Sequence, residues 1–259
     1  SAGMGDPYFP LLGNGGYDVV HYNIDLLYDN EQETISGETA IEAIATEDLS
    51  SFNLDFYGPE ITAVLVNAET SDFARDGGEL TIEPETALEA GARFSVSVTY
   101  AGAPGSNDPT SFASLGWIPT RDGFAALGEP SGSSAWYPVN EHPLDKATYS
   151  FSITVNKPLG AVAHGTRTDV REHDATRAYV WRMYEPMASY LVVLSIGQYE
   201  RSENETKEGV PIRDYFPPRL AQSGVLAFSR QGEMLDYFSS VFGAYPFEEY
   251  GSVVIDAGI

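Results

Sequence analysis

From Tyr17 to about Ile196 apolar and polar residues alternate in short runs, the period-2 pattern of strands with one buried face. Val20, Tyr22, Ile24, Leu26 and Tyr28 fall on one side of a first strand. After the turn-like Asp29-Asn30-Glu31, the residues Ile35, Thr39, Ile41, Ala43 and Ala45 repeat the pattern. Runs of the same kind cover Phe52 to Phe56, Ile61 to Val66, Glu79 to Ile82, Phe94 to Tyr100, Ala147 to Val155, Ala178 to Met183 and Tyr190 to Ile196. Turn formers such as Asp76-Gly77-Gly78 and Glu89-Ala90-Gly91 separate them. No helix-period stretch interrupts the series. Many short strands without crossover helices predict a mainly β fold, an antiparallel sandwich or saddle-shaped sheet assembly.

The period changes after Pro217-Pro218. Val225, Phe228, Leu235, Phe238 and Phe242 recur on one helical face, with Ser223 placed as N-cap and Gly243 and Pro246 as the stop. A short strand, Gly251 to Ile255, follows. The chain is thus expected to divide into a remnant and tether over residues 1–16, in which Ser1-Ala2 looks like an expression scar, a β domain over 17–197, and the start of a second, cut-short α+β domain over 198–259. The apolar helix face in that last part is expected to promote self-association. The longest irregular stretch, Gly102 to Leu144, is rich in Pro, Gly and Ser but holds Trp117, Trp136 and Tyr137. Loops of that length inside a compact domain are usually functional or disordered, and the aromatics favour function.

Composition narrows the chemistry. The 259 residues include no Cys, which removes disulfides, thiolate zinc sites, iron–sulfur centres and a Cys nucleophile together. With 14 basic against 38 acidic residues the formal charge is −24, which repels phosphate backbones and anionic membrane surfaces. No nucleic-acid partner is expected. No window approaches the apolar length of a membrane span, and no signal-peptide pattern opens the chain. A Cys-free acidic chain after a Gly- and Pro-rich opening fits a secreted or cell-envelope protein, with a cytoplasmic one as the alternative.

The four histidines, His21, His142, His164 and His173, are scattered, and no His-Glu-x-x-His is present. Glu141-His142 with Asp145 offers at most a contribution to a metal site, against the plainer reading of a loop histidine with ordinary hydrogen bonds. His21 is expected at the surface. Ser131-Gly132-Ser133-Ser134 lacks the Gly-x-Ser-x-Gly frame of a serine hydrolase. Asp29, Glu31 and Glu33 lack the spacing of a Ca²⁺ loop, and Asn204-Glu205-Thr206 matches the N-glycosylation acceptor pattern.

The segment Gly128-Glu129-Pro130 to Lys146-Ala147-Thr148-Tyr149 resembles a stretch of the aminopeptidase N family of zinc metallopeptidases. There an acidic or amide loop residue is followed nine positions later by the Pro of an aromatic-Pro pair, then by an acidic-Pro turn and a strand opening Lys-Ala-Thr. Glu129 and Pro138 keep that spacing. Three further segments resemble the family in the same order: Glu185-Pro186-Met187-Ala188-Ser189-Tyr190-Leu191, then Gly209-Val210-Pro211-Ile212-Arg213 to Pro217-Pro218, then Phe242-Gly243 and Tyr245-Pro246-Phe247 to Val253-Val254-Ile255-Asp256. Together they extend over almost the whole chain. The turn Asn140-Glu141-His142-Pro143 departs from the family's aromatic-Asp-Glu-Pro, and the zinc-binding helix is not in this sequence.

The resemblance implies a saddle-like N-terminal β domain followed by the first elements of a thermolysin-like catalytic domain. It implies that Glu129 helps hold the free α-amino group of a peptide, for which a carboxylate in a partly desolvated cleft is chemically suited. The plain alternative is a solvated Glu between Gly128 and Pro130. It further implies zinc in the parent enzyme, no catalytic residue and no metal ligand in this span, and no peptidase activity for the span alone. Two other classes remain open: a β-sandwich module binding glycans or a cell-surface ligand through Trp117, Trp136 and Tyr137, and a spacer with no ligand.

Overall fold

The computed structural model describes residues 3–105 and 116–257. Ser1, Ala2, Gly258, Ile259 and residues 106–115 of the Gly102 to Leu144 stretch lie outside the described residues. In chain order the strands are β1 (Tyr17–Asp29), β2 (Thr34–Ala45), β3 (Phe52–Asp55), β4 (Glu60–Val66), β5 (Glu69–Thr70), β6 (Asp72–Asp76), β7 (Glu79–Glu83), β8 (Arg93–Gly102) and β9 (Gly116–Pro119). They continue as β10 (Phe124–Leu127), β11 (Lys146–Asn156), β12 (Gly160–Ala163), β13 (Thr166–Glu172), β14 (Thr176–Ala188), β15 (Leu194–Gly197), β16 (Glu200–Glu205), β17 (Pro211–Phe216) and β18 (Tyr250–Val253). Two α-helices, α1 (Ala221–Ala227) and α2 (Gln231–Phe242), lie between β17 and β18.

Eight strands form one sheet in the order β13-β14-β11-β1-β2-β8-β4-β5. Its neighbours are antiparallel except at one seam, where β1 and β11 run parallel with His21 beside Thr148 and Tyr28 beside Val155. The alternation read from the sequence becomes alternation in burial: Tyr22, Ile24, Leu26 and Tyr28 face the core while Asn23, Asp25 and Leu27 face out. Two smaller sheets, β12-β15-β10-β9 and β3-β7-β6, cover the inner face. Aromatic rings make the joint. Tyr28 of β1 meets Phe124 of β10 edge-on at 5.0 Å, and Phe52 of β3 meets Phe94 of β8 at 5.3 Å, separations at which ring pairs add attraction beyond area burial.

The expected mainly β sandwich is therefore present, followed by α+β elements. β15 is the last strand of the covering sheets, and β16 opens a separate three-stranded sheet, β16-β17-β18, in which β17 and β18 are parallel. Trp181 of β14 touches Tyr215 of β17, and beside this contact lies a cavity of about 590 Å³ lined in part by His164, Met183, Met187 and Tyr250.

Several local expectations are corrected. A bulge between Val19 and His21 reverses the alternation ahead of it, so Val19 takes the buried place expected for Val20. The single helix expected around Val225 to Phe242 is two, broken at 228–230, and Ser223 is no N-cap: it lies inside α1 with its hydroxyl donating to Leu220 O at 3.0 Å. Gly243 does end α2, with φ +103°. The expected strand from Tyr190 to Ile196 starts instead as a 3₁₀ turn, Ser189–Leu191, and only Leu194–Gly197 is strand. Within the stretch read as irregular, β9 and β10 are strands. Among the described residues no helix is long and apolar enough to cross a membrane.

Candidate functional site

Strand β10 ends at Leu127, and the chain turns through Gly128-Glu129-Pro130, with a cis peptide before Pro130. Gly128 is required by a close approach: a Cβ there would lie 2.4 Å from the carbonyl oxygen of Tyr190. This places the turn against the segment that contains Met187 and Tyr190, and leaves Glu129 exposed beside it. Past the turn, Ser133–Ala135 form a single buried 3₁₀ turn.

That short turn starts with unpaired backbone N–H groups, as every helix-like element does. Gly132 precedes it and has no side chain to cap them. Glu141, seven and eight residues on, does so instead. Ser133 N–H donates to Glu141 Oε1 at 2.6 Å, Ser134 N–H to Oε2 at 3.3 Å, and the Ser134 hydroxyl also donates to Oε2. Ser133 Oγ donates in turn to Ser189 O at 2.8 Å. The Glu141 carboxylate is 2 % exposed at residue level, so these donors stand in for water.

Beneath Glu141 the polar contacts continue inward. Its N–H donates to Asp55 Oδ2 at 2.9 Å, and Asp55 and Val139 exchange backbone hydrogen bonds of 2.7 and 3.0 Å, so the loop is laced to the end of β3. Asn140 N–H donates to Tyr22 Oη, Asn140 Oδ1 accepts from Asn14 N–H at 2.7 Å, and its amide donates to Asn14 O and to Asp145. Asp145 Oδ1 accepts from Val19 N–H at 3.0 Å. Asn14 is completely buried and also donates to Asp55, so the N-terminal segment is packed into this network at Asn14.

Burial pushes all three carboxyls, Asp55, Glu141 and Asp145, upward, because the charged form loses water. Around Glu141 the Ser134 hydroxyl and the Ser133 and Ser134 amides oppose that shift; around Asp55 the Glu141 amide opposes it, while the Glu141 charge adds to it. Asp145 is pushed up to about 6. No Lys or Arg ion pair reaches any of the three among the described residues.

The other residues singled out from the sequence fall as follows. Glu141, His142 and Asp145 do not converge: Glu141 serves the serines, Asp145 serves Val19 and Asn140, and His142 Nδ1 accepts from Leu144 N–H at 3.2 Å. Among the described residues no group of three His, Asp or Glu side chains could hold a metal ion. His21 is not a free surface residue; it is half-buried between Thr148 Oγ1 at 2.7 Å and Ser150 Oγ at 3.1 Å. His164 Nδ1 accepts from Val193 N–H, and burial lowers its imidazole to about 4. Trp136 and Tyr137 are buried, and Trp117 stacks on Phe124, so these rings fill the core beneath the loop. Of the glycosylation pattern, Asn204 is exposed on β16, while Thr206 is buried and accepts from Val210 N–H. Asp55 and Asn14 were not singled out from the sequence. The one signal for Asp55 is an acid standing between Leu54 and Phe56 within the run from Phe52 to Phe56.

A family profile described as "Peptidase M1 N-terminal domain" matches residues 19–191. Aminopeptidase A of Gloydius brevicauda is 24% identical over 247 residues, covering 86% of this chain and 25% of that protein. The M1 zinc metallopeptidase of Deinococcus radiodurans superposes with a TM-score of 0.91 at 27% identity, over 99% of this chain and 61% of that one. A mutant of that enzyme bound to a Tyr-Ser-Ala substrate superposes at 0.89 with 29% identity, over 97% and 59%. The chain thus spans about a quarter of that curated relative's length, and roughly three fifths of the solved chains.

Proposed function

The chain belongs to the peptidase M1 N-terminal domain family, and on that premise we propose that it is the substrate-anchoring front of a zinc-dependent aminopeptidase, with Glu129 receiving the free α-amino group of a peptide. In this reading residues 17–197 are the anchoring domain, and the β16-β17-β18 sheet with its helices belongs to the catalytic domain. The observation that carries the proposal is the convergence of distant segments on one turn: Gly128 against Tyr190, Ser133 bonded to Ser189, and Ser133 and Ser134 held by Glu141.

Exopeptidase chemistry requires that a terminal ammonium be told from an internal amide. A carboxylate displayed on a fixed turn does this, because it forms a charge-assisted hydrogen bond with –NH₃⁺ that an acylated nitrogen cannot match. Exposure in water weakens such a contact, and a wall closing over the turn strengthens it. Zinc, which the relatives' names carry, would polarise the scissile carbonyl in the whole enzyme. The described residues of this chain do not form a site for it, so their part is to bind and orient the amine end.

The test is binding of a free-amine dipeptide against its N-acetyl counterpart, by titration calorimetry. The wild-type chain favours the free amine, and Glu129→Gln reduces that preference by about tenfold, the order of one charge-assisted hydrogen bond. Equal binding of both peptides by wild type and variant removes the anchor role. The chain alone is expected to turn over no alanyl fluorogenic substrate, and measurable turnover with stoichiometric zinc by elemental analysis contradicts that part of the reading.

A further inference from the structure

We propose that Glu141 is the positioning residue of the turn that carries Glu129, holding it through the backbone of Ser133 and Ser134. The functional half of this inference rests on the anchor reading of Glu129; the structural half stands without it.

The argument begins with chain geometry. Among the described residues no strand ladder includes Glu129 to Ser134; the Ser134 and Ala135 carbonyls accept from Tyr57 N–H at 2.8 Å and Gly105 N–H at 2.9 Å, so what remains to orient the turn is the capture of its N–H groups. Both carboxylate oxygens of Glu141 are used for that capture, one on Ser133 and one on the amide and hydroxyl of Ser134. A fork gripping three donors fixes orientation as well as distance, which a single bond does not. Glu141 is itself immobilised from the sheet side, since its N–H is bound by Asp55 and the preceding Val139 exchanges two hydrogen bonds with Asp55. The carboxylate therefore links β3 to the N–H side of the turn, while Tyr57 N–H, just past β3, holds its carbonyl side at Ser134 O. On the far side, Ser133 Oγ on Ser189 O and Gly128 against Tyr190 close the frame, and Ser189 Oγ returns at 3.5 Å to Asn140 O.

A purely stabilising role is the competing explanation, and the chemistry argues against it. Taking a carboxylate out of water without a cation is expensive, and an apolar or amide contact would fill the same space with a smaller desolvation penalty. Here the charged form is offset by donors that all belong to the one short turn after Glu129.

Because the chain has no cysteine, Glu129→Cys creates a single thiol that can carry a nitroxide label. In this background the label's spectrum is recorded well below the melting temperature, with and without Glu141→Gln or Ser134→Ala, and a second single-cysteine protein, Asp174→Cys, reports on the β13–β14 hairpin, at the opposite end of β14 from Ser189. The expected result is a severalfold shorter correlation time at position 129 with Glu141→Gln, a smaller shortening with Ser134→Ala, and no change at position 174. A lowered melting temperature with an unchanged spectrum at 129 means a merely structural Glu141 and overturns the proposal. Should Glu141→Gln fail to fold, Ser134→Ala decides alone, and an unchanged spectrum overturns it.

The functional half is read with Glu129 intact. Loss of free-amine preference in both Glu129→Gln and Glu141→Gln supports it. Loss in Glu129→Gln with full preference in Glu141→Gln overturns positioning and leaves the anchor. No loss in Glu129→Gln overturns the anchor and the functional half with it, while the label spectra decide the structural half.

Discussion

Asp145 shows how a single buried group sets a pH response. Its carboxyl is bound to Val19 N–H and the Asn140 amide, yet burial dominates and pushes it up to about 6. Between about pH 4 and 6 the folded chain keeps a proton that the unfolded chain has already released, so stability falls as pH rises through that window. Asp55 and Glu141 shift in the same direction. Thermal melts are expected to show a higher melting temperature at pH 5 than at pH 7.5, and Asp145→Asn to flatten part of that slope; a wild-type slope of opposite sign refutes the account. At Gly128 the expectation is steric. Alanine brings a Cβ within 2.4 Å of a backbone oxygen, which has no flexible end to move, so Gly128→Ala costs about 1–3 kcal/mol by denaturant unfolding. Residue-level legibility was uneven. Glu129 could be picked out because it keeps a fixed spacing to Pro138, whereas Asp55 and Asn14 act through partners more than 40 residues away, and a linear pattern holds no trace of those partners.

Strands were easier to read than helices because a half-buried strand writes its burial directly into alternate residues. The pattern in β2, from Ile35 through Thr39 to Ala45, is the observed buried face. It failed where one extra residue reversed the phase, at Val20, and where a strand has little apolar face to show, as in β6, all of whose residues are exposed. Element packing predicts that Ile24→Ala, in the completely buried row of β1, costs about 2–5 kcal/mol by chemical denaturation. Helix α2 behaves in the opposite way. No residue of it is buried, and Tyr237, Phe238, Val241 and Phe242 are exposed, so the apolar period found in the sequence has no covering partner among the described residues. Phe238→Ser with Phe242→Ser is therefore expected to leave stability within about 0.5 kcal/mol while reducing self-association in sedimentation velocity; an unchanged distribution of species contradicts this.

At the scale of the whole molecule, composition was informative about what surrounds the fold and silent about its topology. A charge of −24 spread over a 259-residue chain repels itself, and added salt screens that repulsion within a Debye length of about 10 Å at 0.1 M. Raising sodium chloride from 20 to 500 mM is expected to raise the melting temperature, and a decrease means that attractive surface pairs outweigh the net repulsion. Nothing in the alternation indicates that β1 pairs in parallel with β11, since both strands read alike whichever way they lie.

That seam also imposes an order in time. His21 and Thr148 are 127 positions apart, so when β1 leaves the ribosome it can pair with β2 at once, but its other edge must wait for β11. At a synthesis rate of roughly 5–20 residues per second the wait is on the order of 6–25 s. Through that interval an open strand edge could recruit the wrong chain. Asp18, Asn23 and Asp25 lie on the outward face of β1, and in the nascent chain they would discourage a premature partner until the correct one has been made.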